Sequence, residues 1–173
     1  MNGELTFLPI QLPTNADICL QFTTDAFVCS FGDDSRFLCG THHYLRPDQY
    51  LRWLQSKVSS DPESAVHLWM GGEIIGQMEL GAYRHDARIG YVHLYYLVPH
   101  ARGKHLSEPL DRYASTYLSR KGYSRAFLSV TKSNERARRY YQKMGWKESG
   151  PSPDDPEVVI MEKGLTPPNV SRL

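Results

Sequence analysis

Residues 89–107 read IGYVHLYYLVPHARGKHLS, and this stretch decides the fold. Its first ten residues are rich in β-branched and aromatic side chains, which predicts a long strand ended by Pro99. A basic, glycine-containing turn follows, and helical apolar spacing then predicts a helix over residues 107–121. Free N–H groups and the dipole at a helix N-terminus favour an anion. The turn therefore predicts a phosphate site, to which Arg102 and Lys104 add full positive charges.

Hydrophobic periodicity on both sides of this unit predicts the other elements. Their order is β-α-α-β-β-β-α-β-α-β, with hairpins as well as crossovers, which is typical of an α+β fold with a mixed sheet. The predicted strands are residues 5–10, 66–70, 74–80, 89–98, 126–130 and 158–163, and the predicted helices are residues 17–30, 47–58, 107–121 and 134–144. Residues 32–46 and 81–88 are predicted loops.

Length and composition exclude several classes of protein. The 173 residues, 40% hydrophobic and 23% charged, are typical of one globular domain. The three cysteines stand ten residues apart without CxxC spacing, which favours reduced thiols and a cytoplasmic location. Because no apolar run approaches 18 residues and the first residues lack a basic and an apolar region, we expect neither a membrane span nor a secretory signal.

Charge is unevenly distributed although the net charge is only +1. Residues 100–147 hold twelve lysines and arginines against three acidic residues, a balance of +9, and the rest of the chain has a balance of −8. A basic segment of this kind favours a polyanion such as a phosphate group, although solvated helix faces give the same pattern. Its charges cluster at a turn and along two helices rather than over one face, so we expect no nucleic-acid partner and no membrane partner.

A second segment, SNERARRYYQKMGW at residues 133–146, completes a known pattern. Together the two segments resemble the GCN5-related N-acetyltransferase (GNAT) superfamily. That family joins V-x-P-x-x-[RQ]-G-x-G-x-[GA] to a later N-x-x-A-x-x-x-Y-x-x-x-G-[FW]. The second motif matches at Asn134, Ala137, Tyr141, Gly145 and Trp146. In the first, His105 and Ser107 replace two glycines, and we expect the turn to persist because His tolerates positive φ and Ser suits a helix N-cap.

The resemblance implies a mixed, mostly antiparallel sheet of six to seven strands flanked by about four helices. It implies one acetyltransferase domain over residues 1–173, with residues 1–65 on the acceptor side, residues 66–163 as the acetyl-CoA-binding core and residues 164–173 as a loose tail. The implied reaction moves an acetyl group from acetyl-CoA to a primary amine of an unidentified small molecule or peptide. A non-catalytic acyl-CoA-binding regulatory domain is the alternative. Relatives often dimerise, which leaves a homodimer open.

The resemblance also implies which residues hold acetyl-CoA. In the family the pantetheine arm pairs with the strand like an added strand, and the turn holds the pyrophosphate. The implied contacts are Tyr95, Tyr96 and Leu97 for the arm, Arg102, Gly103, Lys104, His105, Leu106, Ser107 and Glu108 for the turn, and Asn134 and Tyr141 from the second motif.

Tyr141 matches the tyrosine that protonates the leaving thiolate, and a phenol (pKa ~10) stays protonated at neutral pH. His93 stands where arylalkylamine-acetylating relatives carry a histidine, and an imidazole (pKa ~6.5) suits a general base. Ser129 occupies the position where other members carry a glutamate, so Glu79 on the preceding strand is the reserve base. Packing of Tyr141 and a hydrogen-bonded, buried His93 are the non-catalytic alternatives.

Strand alternation predicts that one face of residues 89–98 carries four side chains, those of Tyr91, His93, Tyr95 and Leu97. On this reasoning the imidazole of His93 looks toward the thioester.

Acceptor recognition is expected from residues 27–44 and 81–88. Asp33, Asp34 and Glu79 are candidates to attract a cationic amine, with solvated loop carboxylates as the alternative. The histidines of these segments, His42, His43 and His85, lack a framework of cysteines or carboxylates, so we expect no metal.

Overall fold

The sheet of the computed structural model has seven strands, and the structure describes residues 3–167. The strands are β1 (Leu5–Pro9), β2 (Ala65–Met70), β3 (Glu73–Tyr83), β4 (Asp86–Leu97), β5 (Arg125–Thr131), β6 (Lys147–Pro151) and β7 (Val158–Gly164). The helices are α1 (Ala16–Phe31), α2 (Ser35–Cys39), α3 (Pro47–Ser60), α4 (Ser107–Arg120) and α5 (Glu135–Lys143). The predicted α+β class with a mixed, mostly antiparallel sheet is confirmed.

The strand order is β1-β2-β3-β4-β5-β7-β6, and only β4 and β5 are parallel neighbours in this sheet. They pair over three residues, 90–92 with 126–128. Beyond those pairs β4 continues to Leu97 and β5 continues to Thr131 without pairing to each other. The two strands therefore separate toward their carboxyl ends and open a gap in the middle of the sheet.

A β-bulge interrupts β4 at His93. Glu79 pairs with Leu94 but Leu80 pairs with Val92, so His93 is an extra residue on its strand. The His93 ring contacts Trp53 of α3, at 5.2 Å between centroids. The ring of Tyr95 instead packs against Tyr140 and Tyr141 of α5. The prediction that Tyr91, His93, Tyr95 and Leu97 share one face is therefore wrong, because the bulge breaks the alternation.

A tight hairpin joins β2 to β3, and Gly71 and Gly72 in it have φ of 58° and 81°. The predicted loop 81–88 is instead largely strand, since β3 extends to Tyr83 and β4 begins at Asp86. The loop 32–46 contains α2. The sequence of β6 (KESGP) has little strand propensity, and its backbone pairing with β7 makes it a strand.

Two hydrophobic clusters hold the helices on the sheet. The larger one packs residues of the central strands against α1 and α4. The smaller one joins α1, α2 and α3, and its buried members are Ile10, Cys19, Phe37, Tyr50, Leu54 and Ala65. No helix between residues 3 and 167 is both long and apolar enough to cross a bilayer.

The expected tail begins as ordered structure. Gly164 belongs to β7, and the Leu165 amide donates to the Ser124 carbonyl at 2.9 Å. Residues 168–173 lie outside the described part of the chain.

A buried polar contact fastens the second motif to α4. The indole N–H of Trp146 donates to Asp111 Oδ1 at 2.9 Å, and Lys163 Nζ contacts Asp111 Oδ2 at 2.7 Å. Asp111 and Trp146 are both buried. The Asp111 carboxylate thus links α4 to Trp146, which directly precedes β6, and to Lys163 of β7.

We expect Asp111→Ala to lower the free energy of unfolding by about 3 kcal/mol, because it leaves a buried indole N–H and a lysine without their partner. Urea denaturation measures the loss. As the control, Arg52→Ala removes an exposed i,i+4 pair with Asp48, so its effect is expected below about 0.5 kcal/mol. A similar loss in both variants would contradict the structural role of Asp111.

Candidate active site

A cavity of about 1300 Å³ occupies the gap between β4 and β5. It reaches from the turn before α4 to the far side of the sheet, where α1 and α3 pack. Pockets for one small ligand usually have ~300–1,000 Å³, so this cleft has room for two substrates side by side.

The open edge of β4 presents unpaired backbone groups to the cleft. The Val98 amide donates to Ile75 on β3 at 2.9 Å. Because backbone groups of successive strand residues point in alternate directions, the amides of Leu97 and Tyr95 face the gap. The Leu97 carbonyl accepts a hydrogen bond from Arg102 Nε at 2.9 Å. An extended ligand can pair with the remaining groups as an added strand.

The turn that follows β4 gathers free amides at the start of α4. Within the described chain, no backbone N–H from Gly103 to Ser107 donates to a protein acceptor. Gly103 and His105 have φ of 74° and 60°. Alternating right- and left-handed residues turn successive N–H groups toward one concavity that suits an anion. His105 thus adopts the positive φ that a glycine more commonly supplies, as the sequence led us to expect.

Arg136 faces this turn from α5 and was missed in the sequence. A β-carbon on Gly103 would lie 3.8 Å from Arg136 Nη2. No carboxylate from residues 3–167 pairs with Arg136 or Lys104. Arg136 lies in the first turn of α5, two residues after Asn134. This closeness to a motif residue is the feature of the sequence that could have indicated Arg136 as a site residue. The side chain of Lys104 is exposed beside the turn.

Arg102 lines the cleft and pairs with a carboxylate of α1. Its Nη2 pairs with Asp25 Oδ2 of α1 at 2.9 Å, and its guanidinium lies 5.5 Å from the ring centroid of Tyr96. The Tyr96 hydroxyl donates to the same Asp25 oxygen at 2.6 Å. Asp25 thus already compensates the charge of Arg102, which also lines the cleft, and its predicted phosphate contact stays a prediction. Arg102 ties α1 to the end of β4.

Asn134 and Tyr141 lie on the wall of the cleft, on the side of the turn. Asn134 caps α5, since its Oδ1 accepts the Ala137 amide at 3.1 Å. The ring of Tyr141 packs between Tyr95 and Trp146, and its hydroxyl has no hydrogen-bond partner among the described residues. Burial raises the pKa of Tyr141 above its ordinary value. The phenol therefore stays protonated and available as a proton donor.

His93 lines the cleft from the bulge, edge-on to the rings of Trp53 and Tyr91. Gly81 makes room beside it, because a β-carbon there would lie 2.9 Å from Lys57 Nζ and 3.0 Å from His93 Nε2. The surrounding protein and, to a smaller extent, the Lys57 ammonium lower the pKa of His93 well below ~6.5. The side chain of His93 is open to the cleft. The lowered pKa keeps it a neutral imidazole at pH 7 and makes it a weaker base than a free imidazole.

Glu79 is buried at the floor of the same cleft. Its Oε1 accepts the Tyr50 hydroxyl at 2.5 Å and Gln77 Nε2 at 2.8 Å. Burial raises the pKa of Glu79, and these hydrogen bonds and the Lys57 charge oppose the rise. Glu79 is therefore fixed in place and remains a second proton acceptor.

Both segments expected to recognise the acceptor contribute to the cavity wall, for example through Phe27, Tyr44 and Tyr83. Asp33 and Asp34 do not line it, and Asp33 instead accepts the Ser35 amide at 2.9 Å. Within residues 3–167 no three His, Cys, Asp or Glu side chains are grouped to hold a metal ion.

Free amides at the turn before α4 and a tyrosine that faces the cleft agree with what the resemblance to the GNAT superfamily implies. The model of the Acetyltransferase (GNAT) family matches residues 26–146, well over half of the sequence, and the chain belongs to this family.

Solved acetyltransferases share this fold. PaiA N-acetyltransferase from Thermoplasma acidophilum, solved with coenzyme A, is 16% identical, with a TM-score of 0.75 over 94% of this chain and 99% of its own. An N-acetyltransferase from Staphylococcus aureus Mu50 is 18% identical, with a TM-score of 0.71 and the same coverage. The ribosomal-protein-S18-alanine N-acetyltransferase of Escherichia coli is 13% identical, with a TM-score of 0.63 over 98% of this chain and 99% of its own. No curated protein sequence matches the chain.

Titration of His93 tests the electrostatics of the cleft. We expect its pKa, followed by proton NMR, to lie well below 6.5. Lys57→Gln should raise it because a nearby positive charge is lost, whereas Lys57→Arg keeps the charge and should leave it low. A His93 pKa near 6.5 that does not change in Lys57→Gln would contradict the described surroundings of His93.

Proposed function

We propose that this protein is an acetyl-CoA-dependent N-acetyltransferase that acts on a primary amine. The observation that carries the proposal is the open edge of β4, which leads directly into the free amides of residues 103–107 beside Tyr141. Acetyl-CoA matches this order of binding groups, because its extended pantetheine arm leads directly to a diphosphate.

The cofactor's parts correspond to distinct sections of the cleft. The pantetheine arm would pair with the backbone at Tyr95 and Leu97, where the β4 edge is open. The diphosphate would accept hydrogen bonds from the turn amides of residues 103–107, with Lys104 and Arg136 supplying charge. Asn134 would use its amide nitrogen, because its oxygen already caps α5. Tyr96 and the Arg102 guanidinium both donate hydrogen bonds to Asp25 of α1, and these contacts hold the end of β4 in place.

The chemistry follows from direct attack in a ternary complex. The amine nitrogen forms a bond to the acetyl carbonyl carbon, and the C–S bond to coenzyme A breaks. Backbone N–H groups of β4 next to the bulge are available to stabilise the developing oxyanion. The proton lost by the amine goes to His93, or to Glu79 through water, and Tyr141 gives its proton to the thiolate.

A thiol-release assay with a panel of primary amines and a calorimetric titration with acetyl-CoA test this function. We expect acetyl-CoA to bind and thiol to appear only with an amine present. Binding without turnover on any amine would favour the regulatory acyl-CoA-binding alternative. If acetyl-CoA does not bind and no thiol is released, both the acetyltransferase and the regulatory hypothesis are refuted.

Tyr141→Phe should lower kcat by about 100-fold or more while the Kd of acetyl-CoA changes little, because the ring remains and only the proton donor is lost. Tyr140→Phe is the matched control, since Tyr140 is adjacent and its hydroxyl lies 3.2 Å from that of Tyr95. Equal losses of rate and of binding in Tyr141→Phe would mean that the ring only packs.

A further inference from the structure

Contacting aromatic rings wall the half of the cleft that lies away from the turn. They come from α1, α2, α3, β3 and β4, so they surround the cavity on several sides. The rings, in order of contact, are Phe31, Phe27, Phe37, Tyr50, Trp53, His93, Tyr91 and Tyr83, with centroids 4.9–6.1 Å apart. Tyr44 stands edge-on to Phe27 at 5.0 Å. Such a wall favours an apolar body and attracts a cation to the ring faces.

Glu79 is the buried carboxylate at the floor of this wall, and its hydrogen-bond partners are uncharged. Lys57 lines a separate polar pocket between α3 and α4, and its charge acts on both Glu79 and His93. A buried carboxylate in an aromatic wall matches an ammonium group on an apolar body. A polyamine would need several such carboxylates spaced along the cavity.

Polar contacts tie the segment before β7 to α2 and to the β3–β4 turn. Arg36 of α2 pairs with Asp155 at 3.1 Å and with Glu157 at 2.7 Å in the segment before β7. His85 on the β3–β4 turn lies 2.8 Å from Asp154 of that segment. Asp155 and Glu157 are thus paired with Arg36, and Asp154, which lines the cavity, is hydrogen-bonded to His85. These contacts fix the position of the segment before β7 beside the aromatic wall.

We infer that the acceptor is a small hydrophobic monoamine, whose ammonium group lies against Glu79 and whose apolar body lies among the rings from Phe27 to Tyr83. The inference rests on the proposed acetyl transfer and names its substrate class. It places the amine beside His93, which lies on the same stretch of wall and can take its proton.

An amino acid is the main competing class of acceptor, because its carboxylate has a candidate partner in Arg84. The exposed Arg84 side chain lies on the cavity rim and pairs with no carboxylate of the described range. A carboxylate on the acceptor could reach it, as in an amino acid. Phenylalanine and 2-phenylethylamine differ by that one group and therefore separate the two classes.

The experiment measures kcat/KM at saturating acetyl-CoA for 2-phenylethylamine, 2-cyclohexylethylamine, phenylalanine, spermidine and an alanine-initiated tripeptide. We expect kcat/KM for 2-phenylethylamine and 2-cyclohexylethylamine to be at least 100-fold higher than for phenylalanine, spermidine and the tripeptide. Preference for phenylalanine, spermidine or the tripeptide would overturn the inference and leave the acetyltransferase function intact. Thiol release from none of these, without acetyl-CoA binding, would refute the function itself.

Binding without turnover gives an independent readout. Wild-type protein should bind 2-phenylethylamine at least tenfold more tightly than the neutral 2-phenylethanol, and Glu79→Gln should remove that difference. Asp33→Asn, a carboxylate outside the cavity, is the control and should retain it. Tyr83→Leu, at the rim of the wall, should weaken 2-phenylethylamine several-fold while spermidine is unaffected. No charge preference in the wild type, or one that survives Glu79→Gln, would overturn the assignment of Glu79.

Discussion

The separation of β4 from β5 is the constraint on which the site depends. Parallel neighbours normally pair along their length, but these two pair over three residues only. The backbone groups left over on β4 and in the turn at residues 103–107 need water or a ligand, because an unpaired buried N–H costs about as much as a lost hydrogen bond. The ring of Tyr95 packs between β4 and α5, and its hydroxyl donates to the Ser107 carbonyl at 2.5 Å. The fold thus keeps open an edge that an extended ligand can complete.

Opposite electrostatics divide the cleft into two halves. The turn half combines a helix N-terminus with Lys104 and Arg136, so it favours anionic groups. The far half has aromatic walls and Glu79 as a buried carboxylate, so it favours an apolar cation. The bulge at His93 lies between the halves and turns the imidazole toward the second. In the proposed function, this division lets a diphosphate carrier and an amine occupy one cavity without competition for the same groups.

Local sequence patterns predicted the parts of this arrangement that depend on local structure. The strand and turn of residues 89–106 and the helix that begins at Ser107 follow from β-rich composition, a proline and helical spacing. The family resemblance gave Tyr141 and the turn residues. Tyr141 lines one cleft with five of the turn residues, Arg102, Gly103, His105, Ser107 and Glu108, and their contacts to acetyl-CoA stay a prediction. Positive φ at His105 was expected from the tolerance of histidine for that conformation.

Features that depend on distant partners could not be predicted. The bulge at His93 arises from the register with β3, and β6 is a strand only because β7 pairs with it. Arg102 carries the same charge whether it binds a phosphate or Asp25, and Asp25 lies 77 residues earlier in the chain. The aromatic wall joins rings from five elements that no single periodicity connects.

Amide chemical shifts on addition of coenzyme A test the central claim most directly. The account predicts that ¹H–¹⁵N NMR shows the largest changes at the amides of residues 103–107 and at Tyr95 and Leu97. Amides along β1 and β6 should change little, because those strands lie at the two outer edges of the sheet. Binding that leaves the 103–107 amides unperturbed, or no binding at all, would contradict the account.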